Sequence, residues 1–219
     1  MILTSIISLG SHCDPAIQYR RFFQSEPYSP FDWLITCPLD TLFKIISNDG
    51  EHFGDEVTSA MDGTSALCTK YGCYYHHEFE RNDLGKMLFS QQSLKNCKEK
   101  LQYKYRKCFE IAGKTNPLFI RWANDSEIPS NSDRFLYTYE EVNLLVNTLE
   151  KRIGHNNFHL AFIGIKNSHG FDLIDPSALG AIPNVSADVY EAGDLEPLIN
   201  FGMIFFIRQG FAKNNPPII

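Results

Sequence analysis

The chain alternates short apolar runs with stretches in which apolar residues recur at helical spacing. Three of the runs consist mainly of apolar residues and are bounded by polar residues or glycine: residues 5–9, 118–122 and 158–165. Such runs are typical of strands that are buried on both faces of a sheet. We predict these three as core strands, and further strands within residues 66–79, 187–190 and 203–207.

Apolar residues at three- and four-residue steps predict the helices. The first helix, residues 15–23, follows Asp14 and begins with Pro15, so we predict Asp14 as its N-cap. Gly154 stands where a C-cap is expected after a later helix. The other predicted helices cover residues 39–47, 139–153 and 194–201, with a long helix whose apolar stripe is Leu94, Cys97, Leu101, Tyr105, Cys108 and Ala112.

Apolar strands that alternate with amphipathic helices are the signature of a mainly parallel sheet with helices on both faces. We predict a single three-layer α/β domain over residues 1–219, with a sheet of about four to six strands. In such sheets, ligands bind beyond the carboxyl ends of the strands. The turns that follow the predicted strands are therefore the first places to look for chemistry.

The composition argues against several classes of function. The chain has 219 residues, is 43% hydrophobic and 21% charged, and has a formal net charge of −6. Nucleic acids and anionic membranes attract basic surfaces, so we expect neither as a partner. The apolar N-terminus has no basic flank and is too short to span a membrane, so we interpret it as a strand and not as a signal peptide. We expect the six cysteines to be reduced thiols in a cytoplasmic protein.

The turn after the first predicted strand reads Gly10-Ser11-His12-Cys13. Cys13 stands beside the start of the first helix, where backbone N–H groups and the helix dipole can lower the pKa of a thiol, although the Asp14 carboxylate opposes this. Gly10 would let the backbone turn sharply, and Ser11 could line a pocket for an oxyanion or a phosphate. Cys13 is therefore a candidate nucleophile. The alternative is an inert cysteine at a strand-to-helix corner.

A nucleophilic cysteine needs a base, which a histidine oriented by a carboxylate supplies. His76, His77 and Glu78 are consecutive in a tyrosine-rich stretch. Successive side chains of a strand point to opposite faces, so at most one of these histidines can face the site, and we prefer His77. His169, which follows the third core strand with Asp172 nearby, is the rival base.

The same stretch offers a metal site as an alternative. Cys68, Cys73, His76 and His77 have the spacing C-x4-C-x2-H-H. This spacing misses the usual zinc patterns. We predict no metal ion and no other cofactor.

Polar residues also follow the second core strand. Arg121 lies in an apolar run, where a charged side chain must be paired or must meet an anion. Asn124 could donate a hydrogen bond to an oxyanion, and Asp125 could orient a histidine. A salt bridge with capping of the loop is the alternative interpretation of these residues.

The stretch SPFDWL, residues 29–34, places Asp32 among large apolar side chains. We predict that Phe31 and Trp33 pack against the first helix or the sheet. Asp32 is a candidate buried polar group that faces the site, although such a residue more often caps a turn.

The stretches ISLGSHCDPAIQYRRFF, SPFDWLIT, YGCYYHHEF and LFIRW together resemble a bacterial family of unknown function that is labelled papain-like cysteine peptidase. The resemblance spans residues 7–122 and continues more weakly to the end. It implies a nucleophile at Cys13 and a histidine–acid pair near His77 and Glu78. The strand–helix alternation is unlike the papain fold and is similar to the SGNH/GDSL hydrolases, in which the nucleophile follows the first strand and an asparagine after a middle strand helps to bind the oxyanion.

The sequence therefore predicts a thiol-dependent hydrolase or acyltransferase that acts on a small-molecule, peptide or glycan substrate. The predicted catalytic residues are Cys13, His77 and Glu78, and the predicted ligand-binding residues are Gly10, Ser11, His12, Asp32, Arg121, Asn124 and Asp125. The alternative is a binding module without chemistry, which would hold a sugar phosphate or a cofactor phosphate through the Ser11–His12 turn and Arg121. A histidine nitrogen within hydrogen-bond reach of the Cys13 sulfur would favour the enzyme.

Overall fold

The computed structural model describes residues 2–11, 13–26, 28–36, 39–124, 137–166 and 175–191. Two predicted elements, the helix at 194–201 and the strand at 203–207, lie outside these ranges. The elements follow in the order β1 (Ser5–Ser8), α1 (Asp14–Phe23), β2 (Leu34–Ile35), α2 (Leu39–Ser47), β3 (Val57–Ala60), β4 (Ser65–Cys68), β5 (Cys73–Tyr75), β6 (Glu80–Arg81), β7 (Met87–Leu88), α3 (Gln91–Ala112), β8 (Pro117–Asn124), α4 (Tyr139–Ile153), β9 (His159–Lys166), α5 (Pro176–Gly180) and β10 (Val185–Glu191).

In the described part of the chain, β1, β8, β9 and β10 form a parallel sheet in that order. Ile6 of β1 pairs with Leu118 of β8, and Leu118 pairs with His159 of β9. Because the strands are parallel, their carboxyl ends lie at one edge of the sheet. The three predicted core strands are confirmed, with ends that differ by one or two residues from the expected ones.

Helices cover both faces of this sheet. Side chains alternate between the faces of a strand, so β8 contributes to two cores. Phe119 joins the larger core, to which α2, α3 and α4 also contribute. The core under α1 consists of Tyr19, Phe22, Phe23, Leu118, Ile120, Trp122, Ala161 and Ile163. The predicted α/β class, a mainly parallel sheet with helices on both faces, is confirmed, and the papain-type two-lobed arrangement is not observed in the described residues.

A second, antiparallel sheet has the strand order β2-β5-β4-β3, and β6 and β7 form a separate hairpin. The strands predicted within residues 66–79 are confirmed as β4 and β5. β2, by contrast, lies in a stretch that the sequence pattern indicates as a loop. Its two residues are too few to show an alternating pattern, and pairing of Leu34 with Tyr75 creates the strand.

The start of α1 corrects one prediction. Asp14 is the first residue of the helix, and its N-cap is Cys13, with φ −77° and ψ −6° and no capping hydrogen bond from the side chain. The expected cap at Asp14 was wrong because Pro15 is tolerated throughout the first helical turn, where no backbone N–H has an intrahelical partner. Pro15 therefore fixes the start of the helix only to within a residue.

The SPFDWL stretch packs as predicted. Phe31 is fully buried in the larger core. Trp33 is partly buried, and the Cζ atom of Arg20 in α1 lies 5.2 Å from the centre of its ring. This stretch therefore connects the first helix to β2 and the antiparallel sheet.

Candidate active site

The turn after β1 has an unusual backbone. Gly10 has φ +74° and Ser11 has φ +80°, both in the left-handed region that residues with side chains rarely adopt. A Cβ atom on Gly10 would lie 2.8 Å from Thr36 Oγ1 and 3.1 Å from the Phe31 carbonyl oxygen, so the site has no room for a side chain. Strained backbone of this kind persists only where neighbours hold it, and it is common at functional sites.

Thr36 and Arg121 hold this turn. The Ser11 N–H donates to Thr36 Oγ1 at 3.1 Å, and the Thr36 N–H donates to the Ser11 carbonyl at 3.2 Å. The buried guanidinium of Arg121 donates to the Leu9 carbonyl at 3.0 Å, to both oxygens of Thr36 and to the Tyr137 hydroxyl at 3.0 Å. These bonds show that Arg121 braces the turn, while its binding of a ligand stays a prediction.

Cys13 lies between this turn and α1. The Cys13 carbonyl accepts the Ile17 N–H at 2.9 Å, so helical hydrogen bonding begins at Cys13 itself. Its side chain is partly exposed. Helix N-termini favour the thiolate over the thiol, because their N–H groups and the helix dipole stabilise negative charge.

The other described cysteines, Cys68, Cys73, Cys97 and Cys108, are buried. Burial raises the pKa of Cys97 to about 12 and raises that of Cys108 as well. Cys68 and Cys73 face each other across β4 and β5, and the hydrogen bond they share lowers the pKa of Cys68 and raises that of Cys73. Cys68 is fully buried, so a substrate cannot reach it.

His77 and Glu78 lie beyond the end of β5. The His77 ring packs against Trp33, with 5.4 Å between the ring centres. The pKa of His77 is lowered, mainly by partial burial and to a smaller extent by the nearby His76 and Arg81. The Glu78 carboxylate forms an ion pair with Lys100 of α3. Among the described residues, the hydrogen bonds do not join Cys13 to His77 or His77 to Glu78, so this triad stays a prediction.

Other predicted site residues are only partly covered. His12, Asp125 and the rival base His169 lie outside the described residues. Asn124 ends β8, and only its backbone is described. The ends of β8 at Asn124 and β9 at Lys166 lie at the same sheet edge as the turn after β1, because the strands are parallel.

Asp32 is buried beside the first turn of α1. It lines a small cavity together with Ser8, Pro15 and Tyr19. Its Oδ2 atom makes no hydrogen bond with a described residue. Burial raises the Asp32 pKa to about 8 despite the opposing effect of Lys104, so the carboxyl is mostly protonated at neutral pH. Asp32 is thus the buried polar group that the sequence analysis considered, and its contact with a ligand stays a prediction.

Sequence reasoning missed the residues that hold the turn. Thr36 and Tyr137 act on Ser11 and Arg121 across 16 to 85 positions of sequence. A single threonine or tyrosine gives no signal of such a contact. The nearest available signal was Arg121 itself, because a charge in an apolar strand requires partners.

The described residues lack two kinds of feature. They contain no cluster of three or more His, Cys, Asp or Glu side chains suited to a metal ion. They also contain no helix that combines the length and the apolar character needed to cross a bilayer. A cavity of about 600 Å³ lies between the β6–β7 hairpin and the start of α3, with Glu78 in its wall, and Cys13 and Arg121 are not among its lining residues.

Together the fold and the turn define an α/β protein with a partly exposed cysteine at the carboxyl edge of a parallel sheet. A model of the family described as "Putative papain-like cysteine peptidase (DUF1796)" matches residues 4–167, which is more than half of the chain, and the chain belongs to this family. No curated protein and no solved structure matches it.

Proposed function

We propose that this protein is a thiol-dependent hydrolase in which Cys13 is the nucleophile of an acyl-transfer reaction. One observation carries the proposal: among the five cysteines that the structure describes, Cys13 alone is not buried, and it caps a helix at the carboxyl end of β1. Membership of a family described as cysteine peptidases supports the same chemistry. Gly10, Ser11, Thr36 and Arg121 would fix the position of Cys13 and not react themselves.

The reaction follows from this placement. The Cys13 thiolate would attack a carbonyl carbon of the substrate and form a tetrahedral intermediate. The first N–H groups of a helix have no intrahelical partners, so those of Asp14 and Ala16 could donate to the resulting oxyanion, whereas Pro15 has no N–H to offer. The leaving group would depart with a proton and leave a thioester on Cys13. Water would then release the acid, whereas another nucleophile in place of water would make the protein an acyltransferase.

Two histidines are candidates for the base. The family resemblance implies His77, which lies against Trp33 and His76. The sheet geometry supports His169. His169 follows the end of β9 by three residues, which can reach at most about 11 Å. β9 lies about 10 Å from β1, because β8 stands between them in the sheet. The binding-module alternative has less support, because the described donors of Arg121 are bonded to the protein.

Alkylation by iodoacetamide, mapped by peptide mass spectrometry across the pH range, tests the proposal. We expect Cys13 to react faster than Cys68, Cys97 and Cys108, and hydrolysis of a p-nitrophenyl ester to be lost in Cys13→Ser and kept in the control Cys108→Ser. Replacement of the true base by Gln should remove the acidic limb of the pH–rate profile, which identifies either His77 or His169. Preferential labelling of Cys97 or Cys68 at neutral pH would refute the proposal.

A further inference from the structure

Four side chains near α1 form a surface group that we call the Trp33 cluster: Arg20, Trp33, His76 and His77. The Arg20 guanidinium lies 5.2 Å from the centre of the Trp33 ring. The ring centres of Trp33 and His77 are 5.4 Å apart, and those of His77 and His76 are 5.0 Å apart, with the planes of each pair close to perpendicular. Arg20 and His77 are exposed, so the cluster faces solvent.

The Trp33 cluster keeps hydrogen-bond donors available. Arg20 uses Nε and Nη2 to contact Glu26, and a guanidinium has five N–H groups in all. His76 uses Nδ1 to contact Ser65 Oγ at 2.8 Å. The His77 ring nitrogens make no hydrogen bond with a described residue. The surface therefore presents guanidinium and imidazole N–H groups to a ligand.

The charge around the Trp33 cluster favours an anion. Arg81 lies beside it and donates to the carbonyls of His76 and Gly85, and the described ion pairs give it no carboxylate. Glu26 offsets part of the Arg20 charge, but that pair is exposed on both sides, and exposed pairs are weak. Glu78 also acts on His77, but Lys100 forms an ion pair with its carboxylate, so the net positive charge beside the cluster is that of Arg81.

The helix connects the Trp33 cluster to Cys13. Helical hydrogen bonding starts at Cys13, and Arg20 follows seven residues later, which is two turns along the same face and about 10 Å along the axis. Ile17, which is partly exposed, lies between them on that face. A substrate attacked at Cys13 could therefore extend along α1 to the cluster.

We propose that the Trp33 cluster is a substrate subsite that binds a carboxylate about 10 Å from the bond attacked by Cys13. This inference rests on the proposed function with His169 as the base, since a His77 ring in a subsite about 10 Å away would lie too far from the Cys13 sulfur to take its proton. In an extended peptide, about 10 Å corresponds to three residues. The substrate class is then a peptide with an acidic side chain three residues from the scissile bond.

Two affinity labels test the subsite: bromoacetyl-Ala-Ala-Glu-amide and bromoacetyl-Ala-Ala-Gln-amide. In both labels, the Cys13 thiolate displaces bromide and forms a carbon–sulfur bond. Because the reacting group is the same, the labels differ only in the charge of the distal Glu or Gln side chain. We expect the Glu label to modify Cys13 about five-fold faster than the Gln label at low salt, as one partly exposed ion pair allows. The advantage should shrink as salt screens the charges.

Variants of two neighbouring arginines locate the effect. Arg20→Gln should bring the ratio of the two rates close to one. Arg21→Gln is the matched control, because Arg21 is also exposed but points about 100° away around the helix, and it should keep the ratio. Arg20→Lys keeps the charge and should keep part of the advantage. Equal iodoacetamide rates at Cys13 in all these variants would show that the site is intact.

The subsite is refuted if the two labels react equally with the wild type, or if Arg20→Gln keeps the full ratio. The ratio does not depend on the absolute reactivity of Cys13. A Cys13 that reacts with iodoacetamide no faster than an ordinary thiol would therefore count against the proposed function, and the Glu-to-Gln ratio would still decide the subsite.

Discussion

The two regions that carry the predicted catalytic residues are built differently. The β1–α1 turn, residues 9–13, is surrounded by buried groups: Arg121 and Thr36 bond to it, and Phe31 and Thr36 leave no space beside Gly10. The hairpin region, residues 57–88, is an antiparallel arrangement of short strands in which His77, Arg81 and Gly85 lie at or near the surface.

The two regions differ in how firmly the surrounding structure fixes the backbone and side chains of the candidate residues. In the β1–α1 turn, a left-handed Ser11 and a fully buried Arg121 persist because several elements converge on them. Around His77 and Arg81 in the hairpin region, ring contacts and bonds to exposed carbonyls hold the side chains, and each is weak. A position that buried hydrogen bonds fix suits a nucleophile, whereas a surface position suits recognition of a flexible substrate.

The largest effect is expected from Arg121→Met. The substitution removes the Arg121 donor from the buried carbonyl oxygens of Leu9 and Thr36 and from the Tyr137 hydroxyl, which should lower the free energy of unfolding by about 3–5 kcal/mol. Urea unfolding measures the loss. Arg81→Met in the hairpin region is the matched control, since Arg81 is exposed, and it should cost about 0.5 kcal/mol or less. Similar losses in both variants would erase the contrast between the two regions.

A pH-dependent difference is expected from Asp32→Asn. The Asp32 pKa of about 8 in the folded protein lies above the ordinary aspartate value of 3.8, so the folded state retains a proton that the unfolded chain releases. The stability from this group is complete below about pH 4 and is lost as the pH rises to about 8. Because Asn does not titrate, the wild type should lose about 2–3 kcal/mol relative to the variant between pH 5 and pH 7.

Urea unfolding of both proteins at several pH values measures this difference. Asp83→Asn is the control, because Asp83 is an exposed aspartate of the hairpin region. Its free energy of unfolding should run parallel to that of the wild type. If the Asp32→Asn curve also runs parallel to the wild type, the Asp32 carboxyl is ionised in the folded protein and burial does not raise its pKa.

The parallel sheet could be predicted from sequence because its signals are local. Residues 118–122 and 158–165 are apolar runs whose burial on both faces follows from their composition, and the apolar residues of α4 between them recur at helical spacing. The antiparallel strands carry weaker signals: β2, β6 and β7 have two residues each, too few to show an alternating pattern. β2 is a strand because Leu34 pairs with the distant Tyr75, and β6 is a strand because it pairs with β7 in a hairpin. No local pattern encodes such pairing.

The candidate site likewise contains residues that could be predicted from the sequence and contacts that could not. Gly10 and Cys13 could be chosen from the turn after an apolar run, because a strand end in a parallel sheet is a site edge. The bonds from Thr36 and Tyr137 could not, since they depend on how the chain folds back over long separations. The choice between His77 and His169 as the base depends on the distance from each ring to the Cys13 sulfur. The position of His77 next to Glu78 in the sequence does not give that distance.

The third prediction concerns the substitution of two glycines, one in each region, that have the same backbone conformation. Gly10 and Gly85 both have φ +74°, so replacement of either by Ala imposes the same left-handed cost of about 1 kcal/mol. A new Cβ at Gly10 would also press on Thr36 Oγ1 and the Phe31 carbonyl, whereas at Gly85 nothing lies within 4 Å. Gly10→Ala should therefore lower the free energy of unfolding by about 1–3 kcal/mol more than Gly85→Ala, as crowding in packed structure does.

The rate of Cys13 alkylation gives this comparison a second measurement. In Gly10→Ala the turn must shift to make room for the new Cβ. If the packing around Gly10 positions Cys13, this shift also moves the N-cap residue, and iodoacetamide should react with Cys13 at a changed rate. Gly85→Ala leaves the turn untouched and should react at the wild-type rate. A Gly10→Ala protein that loses stability and keeps the alkylation rate would show that the strain in the turn serves folding and does not set the position of the thiol.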